Sequence, residues 1–267
     1  MATSVVLVVW NQLELTRACL ESLRACTAPF DLCVVDNGST DGTAEWFEEF
    51  PLPYALTYHR NARNLGLISA LNQAASLAKG DVLCFLHNDT EMRDARWLER
   101  LLAALASPRR IGLAGLYGAR RLRRDGRYVG RTIVHALEGE GTLDGDVAEV
   151  AVVDGVCLCL RRGLLEEVGG FDEGYGFLHG YDRDLSFAVR EAGWRCAVVD
   201  APFVHHGGGT RDRRGRALPI GRGPAAAPRR PPPLRHQVAP PAAERRAQPV
   251  APRVRALRSR NGARGRS

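Results

Sequence analysis

The first 120 residues alternate between apolar runs of strand length and stretches with apolar residues at helical spacing, and this restricts the fold more than any other feature. Residues 4–10 (SVVLVVW) form a continuous apolar run. Leu13–Leu23 has a helical pattern, and Asp31–Asp36 reads as a strand ending in an acid. A helix over 43–50, a strand over 54–59, a helix over 69–78, a strand over Val82–Leu86, a helix over 95–106 and a strand over 111–116 follow. Such alternation predicts right-handed crossovers and an α/β fold: a mostly parallel central sheet flanked by helices. Residues 120–150 are rich in Arg, Gly and acids, which predicts a loop or irregular hairpin. Strands are expected over 148–153 and 156–160, flanking Asp154-Gly155. Beyond the Gly-rich stretch 169–180, Leu185, Ala188, Val189 and Ala192 predict a helix from about Asp184, stopped by Gly193. A last strand over 195–199 leads into Phe203-Val204-His205-His206.

Composition breaks near residue 210. Residues 210–267 hold 16 Arg, two acids, no aromatic residue and ten of the chain's 15 Pro. The tail therefore carries about +14 and residues 1–209 about −7, so the overall +7 describes neither part. The acidic body argues against a nucleic-acid partner. No apolar run approaches the ~20 residues that cross a bilayer. Met1 to Ser4 holds no charged n-region, so no secretory signal is expected. The seven Cys include no C-x-x-C pair and read as buried, reduced thiols, with Cys157 and Cys159 on one side of a strand.

Three polar clusters fall at the carboxyl ends of predicted strands, where such sheets bind ligands: Trp10-Asn11, 36–41 and 87–89. The string Asp36-Asn37-Gly38-Ser39-Thr40-Asp41-Gly42-Thr43 makes a tight turn into a helix that Ser39, Thr40 or Asp41 can cap. Capping leaves Asp36 unexplained, a carboxylate placed to accept hydrogen bonds from a base or ribose. This string resembles the nucleotide-binding turn of family-2 glycosyltransferases, whose single-domain fold is called GT-A. Asn64-Leu65-Gly66 with Ala70 and Asn72 resembles the family's N-x-G-x-x-x-A-x-N. Phe85-Leu86-His87-Asn88-Asp89-Thr90 is similar to its D-x-D region, and Gly169-Gly170-Phe171-Asp172-Glu173 matches G-G-F-D-E. Tyr181-Asp182-Arg183-Asp184-Leu185 stands where the family carries E-D-x-D-L. His205 with Gly207, Gly208 and Thr210 resembles the closing H-x-G-G-x-S/T. Each motif is weak alone; six in order over residues 4–210 are specific.

The resemblance, of a bacterial rhamnosyltransferase-like kind, implies inverting transfer of a hexosyl or deoxyhexosyl group from a nucleotide-diphosphate sugar to a hydroxyl on a saccharide or glycolipid. A divalent metal, Mn²⁺ or Mg²⁺, is implied to neutralise the leaving diphosphate. Asp89 is the matching ligand, with His205 as a further one; the imidazole leans the choice toward Mn²⁺. Asp182 matches the base that deprotonates the acceptor as it attacks; its own reading as the N-cap of the following helix also stands. Trp10, Asn11, Asp36, Asn64, Asn88 and Asp89 are implied to line the nucleotide-sugar site. The cluster Arg120, Arg121, Arg123, Arg124, Arg127 and Arg131 reads as a solvated loop or as a contact for diphosphate or an anionic acceptor. Two departures stand out: His87 replaces the usual Asp or Asn, and Tyr181 replaces an acid. They leave open a degenerate, inactive domain as the other reading.

Rival enzymes fit less well. A nucleotidyltransferase needs a Gly-rich loop with Lys after the first strand, but Trp10-Asn11-Gln12-Leu13 stands there and Lys79 is the only Lys. The G-x-G-x-x-G of a Rossmann oxidoreductase is missing. The expected organisation is a catalytic domain over 1–209 and a disordered basic tail over 210–267, too poor in large apolar residues to offset its chain entropy. That tail resembles a GC-rich gene read out of frame; the alternative is a basic arm held on anionic lipid. The expected location is the cytoplasm, with peripheral contact at the inner face of the cell membrane.

Overall fold

The computed structural model describes residues 1–49, 52–122, 128–133, 143, 145–177 and 180–207. Strand β1 (Thr3–Val9), helix α1 (Leu13–Leu23), β2 (Asp31–Asp36), α2 (Thr43–Glu49), β3 (Leu56–Arg60), α3 (Leu67–Leu77) and β4 (Val82–Leu86) follow the expected alternation. A short β5 (Thr90–Met92), α4 (Trp97–Ala106), β6 (Ile111–Gly115), β7 (Tyr117–Leu122) and β8 (Tyr128–Ile133) come next. The chain continues through β9 (Val147–Val150), β10 (Val152–Val153), β11 (Cys157–Arg161), α5 (Arg162–Glu167), α6 (Tyr181–Glu191), β12 (Arg195–Val199) and β13 (Phe203–His205).

Eight strands form the central sheet in the order β3-β2-β1-β4-β11-β6-β12-β9. The four on one side pair in parallel, as does β6 with β12, whereas β11 and β9 run against their neighbours. The apolar runs are continuous because both faces are covered, and alternate residues serve different cores. Leu7, Val9, Leu32, Val34, Cys84 and Leu86 pack on the α1 and α4 side with the fully buried Trp97. Val6, Cys33, Val35, Leu83 and Phe85 pack on the other side, against Ile68 and Leu71 of α3 and Leu185 and Val189 of α6.

Three readings need correction. The run 148–153 is broken at Ala151: β9 joins the central sheet, whereas β10 pairs with β7, whose other edge carries β8, in a separate three-stranded sheet. The stretch reads Ala148-Glu149-Val150-Ala151-Val152-Val153 with no Gly or Pro in it, so the sequence does not mark the break. Helix α6 starts at Tyr181, not Asp184, because Gly180 is its N-cap in a left-handed conformation without a side-chain hydrogen bond. Between 120 and 150, β7 and β8 form a regular antiparallel pair. All seven cysteines are unpaired, and Cys84, Cys157 and Cys159 share one core, as the alternation predicts. Among the described residues, no helix is long and apolar enough to cross a membrane. The tail 210–267 and its boundary, together with Gly208 and Thr210, Arg123, Arg124, Arg127 and the Arg131 side chain, lie outside the described residues. Arg120 and Arg121 are exposed.

Candidate active site

The turn after β2 is fixed by its own polar side chains. Asp36 is fully buried; its Oδ1 accepts from the Ser39 backbone N–H (2.8 Å). Its Oδ2 accepts from the Tyr58 hydroxyl (3.0 Å) and lies 3.4 Å from Arg60 Nε. Burial and the Asp36 charge push the Tyr58 phenol up, so it stays a donor. Arg60 reaches back to the Ser39 carbonyl (2.9 Å), so Asp36 holds a half-exposed guanidinium against the turn. Gly38 has φ +81°, and a Cβ there would stand 2.7 Å from Arg63 backbone. Asp41 caps two helices: its carboxylate accepts from the Leu13 N–H that opens α1 and from the Thr43 N–H and hydroxyl that open α2.

Amides extend this bracing. Asn11, at φ 56°, takes the Thr40 N–H on its Oδ1 (2.8 Å) and gives its own N–H to Ser39 Oγ (2.8 Å). Asn37 donates to Asn64 Oδ1 (2.9 Å) and accepts from Asn61 Nδ2 and the Leu65 N–H. The same Asn64 oxygen accepts the Gly66 N–H (2.9 Å). Asn61, buried and bonded to Gln73, is a structural member of this network that the motifs do not include. Trp10 is half-buried at the end of β1. Asn88 turns its amide to Thr16 Oγ1 on α1 (2.9 Å).

A second cluster gathers at the end of β4. Strand β13 pairs with β5, placing His205 opposite Thr90. His205 Nε2 thereby comes 3.1 Å from Asp89 Oδ1, and the His206 N–H bonds the Asp89 carbonyl. His206 turns its ring elsewhere, to Glu91 (2.6 Å). His87 Nδ1 lies 3.9 Å from the same Asp89 oxygen. One ligand atom from each of His87, Asp89 and His205 lies within 4.8 Å of the others. Burial works to raise the Asp89 pKa, but the hydrogen bond and charge of His205 and the charge of His87 outweigh it and hold it at about 2. Burial lowers the His87 pKa, favouring a neutral imidazole with a free lone pair. Burial opposes protonation of His205 as well, yet its bond to Asp89 and the Asp89 and Asp154 charges raise its pKa. Two imidazoles and an ionised carboxylate fit a divalent cation of the Mn²⁺ or Zn²⁺ class. The motifs offer Asp89 and His205 as candidate ligands; the geometry adds His87, which stands where the family more often has Asp or Asn, and its place in the triplet is the only sequence signal for it.

Helix α6 brings in Asp182. With Gly180 as N-cap, Asp182 sits in the first turn, where the helix dipole favours an ionised carboxylate. Its charge reaches His87. Asp184 is buried and accepts from the Tyr175 hydroxyl (3.1 Å), which makes it a brace. Segment 169–177 is locked onto α3: Asn72 bonds both backbone groups of Phe171, and Ser69 donates to Glu173 (2.9 Å).

Residues 4–169 match the family model described as Glycosyl transferase family 2. The O-antigen biosynthesis protein RfbC of Myxococcus xanthus is 27% identical over 230 residues, covering 77% of this chain and 17% of that protein. The chain spans 17% to 35% of the length of the curated relatives it matches. Mannosyltransferase PcManGT from Pyrobaculum calidifontis, solved in complex with GDP-Man and Mn²⁺, has the same fold (TM-score 0.57, 21% identity, 80% of this chain and 58% of that one). GalNAc-T7 with UDP, GalNAc and Mn²⁺ is similar at a TM-score of 0.63 and 19% identity, over 77% of this chain and 44% of that one. The central sheet with its flanking helices is therefore of the GT-A type.

Proposed function

The chain belongs to glycosyl transferase family 2, and from that premise we propose that it moves a hexosyl or deoxyhexosyl group from a nucleotide-diphosphate sugar to a hydroxyl acceptor, with inversion and with the help of a divalent metal. One observation carries this reading. The carboxyl ends of β1, β2 and β4 present a braced turn, a His-Asp-His cluster and, through α6, a carboxylate in a helix's first turn.

In this proposal Trp10, Asn11, Asp36 and Asn64 build the nucleotide side. Asp36 acts by fixing Arg60 and the 36–41 turn, Asn64 by shaping the turn before α3. Asn88 holds the β4 loop to α1. Asp89, His205 and His87 hold the metal, Mn²⁺ in preference to Mg²⁺ because two of three donors are imidazole nitrogens. A cation held there would supply charge neutralisation for the departing diphosphate. Asp182 accepts the proton of the acceptor hydroxyl as the acceptor oxygen bonds to the anomeric carbon from the face opposite the diphosphate, whose own bond to that carbon breaks, which inverts the centre. The acceptor is a saccharide or glycolipid, met at the inner face of the membrane; the name of the Myxococcus relative supports a saccharide acceptor, and the nucleotide and Mn²⁺ ligands of the structural neighbours support the donor and the metal.

The test is a panel of UDP-, dTDP- and GDP-sugars with Mn²⁺, read first as thermal shift and then as sugar release. A donor at ~100 times its dissociation constant adds about 2.7 kcal/mol of stability. A chain stabilised by no donor, and releasing sugar from none, would overturn the proposal.

A further inference from the structure

The two side chains that depart from the family pattern touch each other. His87 and Tyr181, 94 residues apart, meet through Nε2 and the phenolic oxygen at 3.0 Å. The other imidazole nitrogen, Nδ1, faces Asp89. The imidazole is therefore gripped at one end by a phenol and offered at the other to the ligand cluster.

The phenol has little freedom. Tyr181 is buried and packs edge-on against Phe171, with ring centroids 5.9 Å apart at 67°. Its hydroxyl occupies the space over Gly155 that a side chain would fill: a Cβ built there would overlap the Tyr181 oxygen. Gly155 does not have a positive φ, so its backbone does not require glycine. The space for the hydroxyl does. Three positions, on the loop after β4, the turn before β11 and the first turn of α6, thus form one matched unit.

Imidazoles that bind metals usually give their remaining ring N–H to a fixed acceptor, which sets the tautomer and orients the ring. We propose that Tyr181 is the positioning residue of the metal centre: its oxygen accepts the Nε2 proton of His87, leaving the Nδ1 lone pair toward Asp89 and His205, and Gly155 makes room for it. The inference rests on the metal-assisted reading above. It turns the two departures into one substitution of a ligand together with its support. Because Tyr181 directly precedes Asp182, the same contact ties the imidazole to the backbone that carries the proposed base.

Direct Mn²⁺ titration by electron paramagnetic resonance, with and without UDP or GDP, tests this without any transfer assay. Tyr181→Phe keeps the ring and removes the hydroxyl, and is expected to weaken Mn²⁺ binding about 10- to 100-fold. Gly155→Ala keeps the hydroxyl but displaces it, and is expected to weaken binding in the same direction. In a His87→Ala background, Tyr181→Phe is expected to have no further effect. Nitrogen hyperfine coupling to Mn²⁺ should show two imidazoles in the unaltered chain and a weakened second one in Tyr181→Phe. Binding in Tyr181→Phe within twofold of the unaltered chain, or a loss that persists without His87, overturns the inference alone. No Mn²⁺ binding by the unaltered chain under any of these conditions overturns the metal-assisted reading with it.

Discussion

The proposed nucleotide side and the proposed metal side of this site are assembled in opposite ways. Around Asp36, each hydrogen bond joins residues 2 to 29 apart: Ser39 to Asp36, Tyr58 to Asp36, Thr40 to Asn11, Gly66 to Asn64. Around Asp89, the connections reach across the chain, 94 residues from His87 to Tyr181 and 115 from Glu91 to His206. The first region is a product of consecutive strand-turn-helix units and is rigid by local design. The second exists only once β11 has joined the central sheet, α6 has packed on it and β13 has paired with β5. Substitutions on the nucleotide side should therefore cost folding stability, whereas those on the metal side should cost chemistry.

The largest expected effect is at Asp182. Replacement by Asn should lower transfer by about 10²–10⁴-fold, the usual worth of a general base, with donor affinity within a few-fold. Steady-state turnover and calorimetric donor binding measure the two quantities, and near-normal turnover would remove Asp182 from the mechanism. Next is Asp89→Ala, which should abolish the Mn²⁺ dependence of donor binding, a change of at least about tenfold. Donor titrations with Mn²⁺ and with chelator decide it; an unaltered metal response places the ligands elsewhere. On the nucleotide side, Gly38→Ala should destabilise the fold by about 1–3 kcal/mol through its positive φ, with more from the contact on Arg63 backbone. Urea denaturation reads this, and an unshifted midpoint would break the contrast between the two regions. Smallest is Tyr58→Phe, which removes one donor from buried Asp36 while Arg60 remains. A loss of about 1.5 kcal/mol is expected in urea denaturation, the low end for a bond to a charged group because Arg60 still faces the carboxylate, with transfer by the remaining folded protein unchanged.

The same contrast explains what the sequence displays. Leu13–Leu23, Asp31–Asp36 and Val82–Leu86 are found with the bounds their patterns predict, since each is set by its own apolar spacing. Asp41, one of three capping candidates, proves to cap α2 and to hold α1 as well; only the spatial meeting of two loops reveals the second role. Helix α6 began three residues earlier than the pattern suggested, because a glycine N-cap leaves no side-chain signature while Asp182 and Asp184 imitate one. Strand β5 is three residues long, too short for periodicity, yet it brings His205 to Asp89. His87 reads in sequence as a departure and not as a ligand, since Asp89 is near it but His205 and Tyr181, which complete its surroundings, are far away. Long-range pairings leave no local pattern, and the metal side is made of them.

That pairing of β13 on β5 also sets an order of events during synthesis. Glu91 leaves the ribosome 115 residues before His206, its partner across the two strands. At ~5–20 residues per second, the interval is roughly 6–23 s. During it the nascent chain holds β1 to β4, the braced 36–41 turn and Asp89, but no His205. A growing chain can thus shape its nucleotide side early, while a metal ion has only a partial set of donors until the final strand arrives. On the proposed metal-assisted reading, loading of the cation would be a late step of biogenesis, and a chain stopped before Phe203 would lack the His205 imidazole that the reading requires.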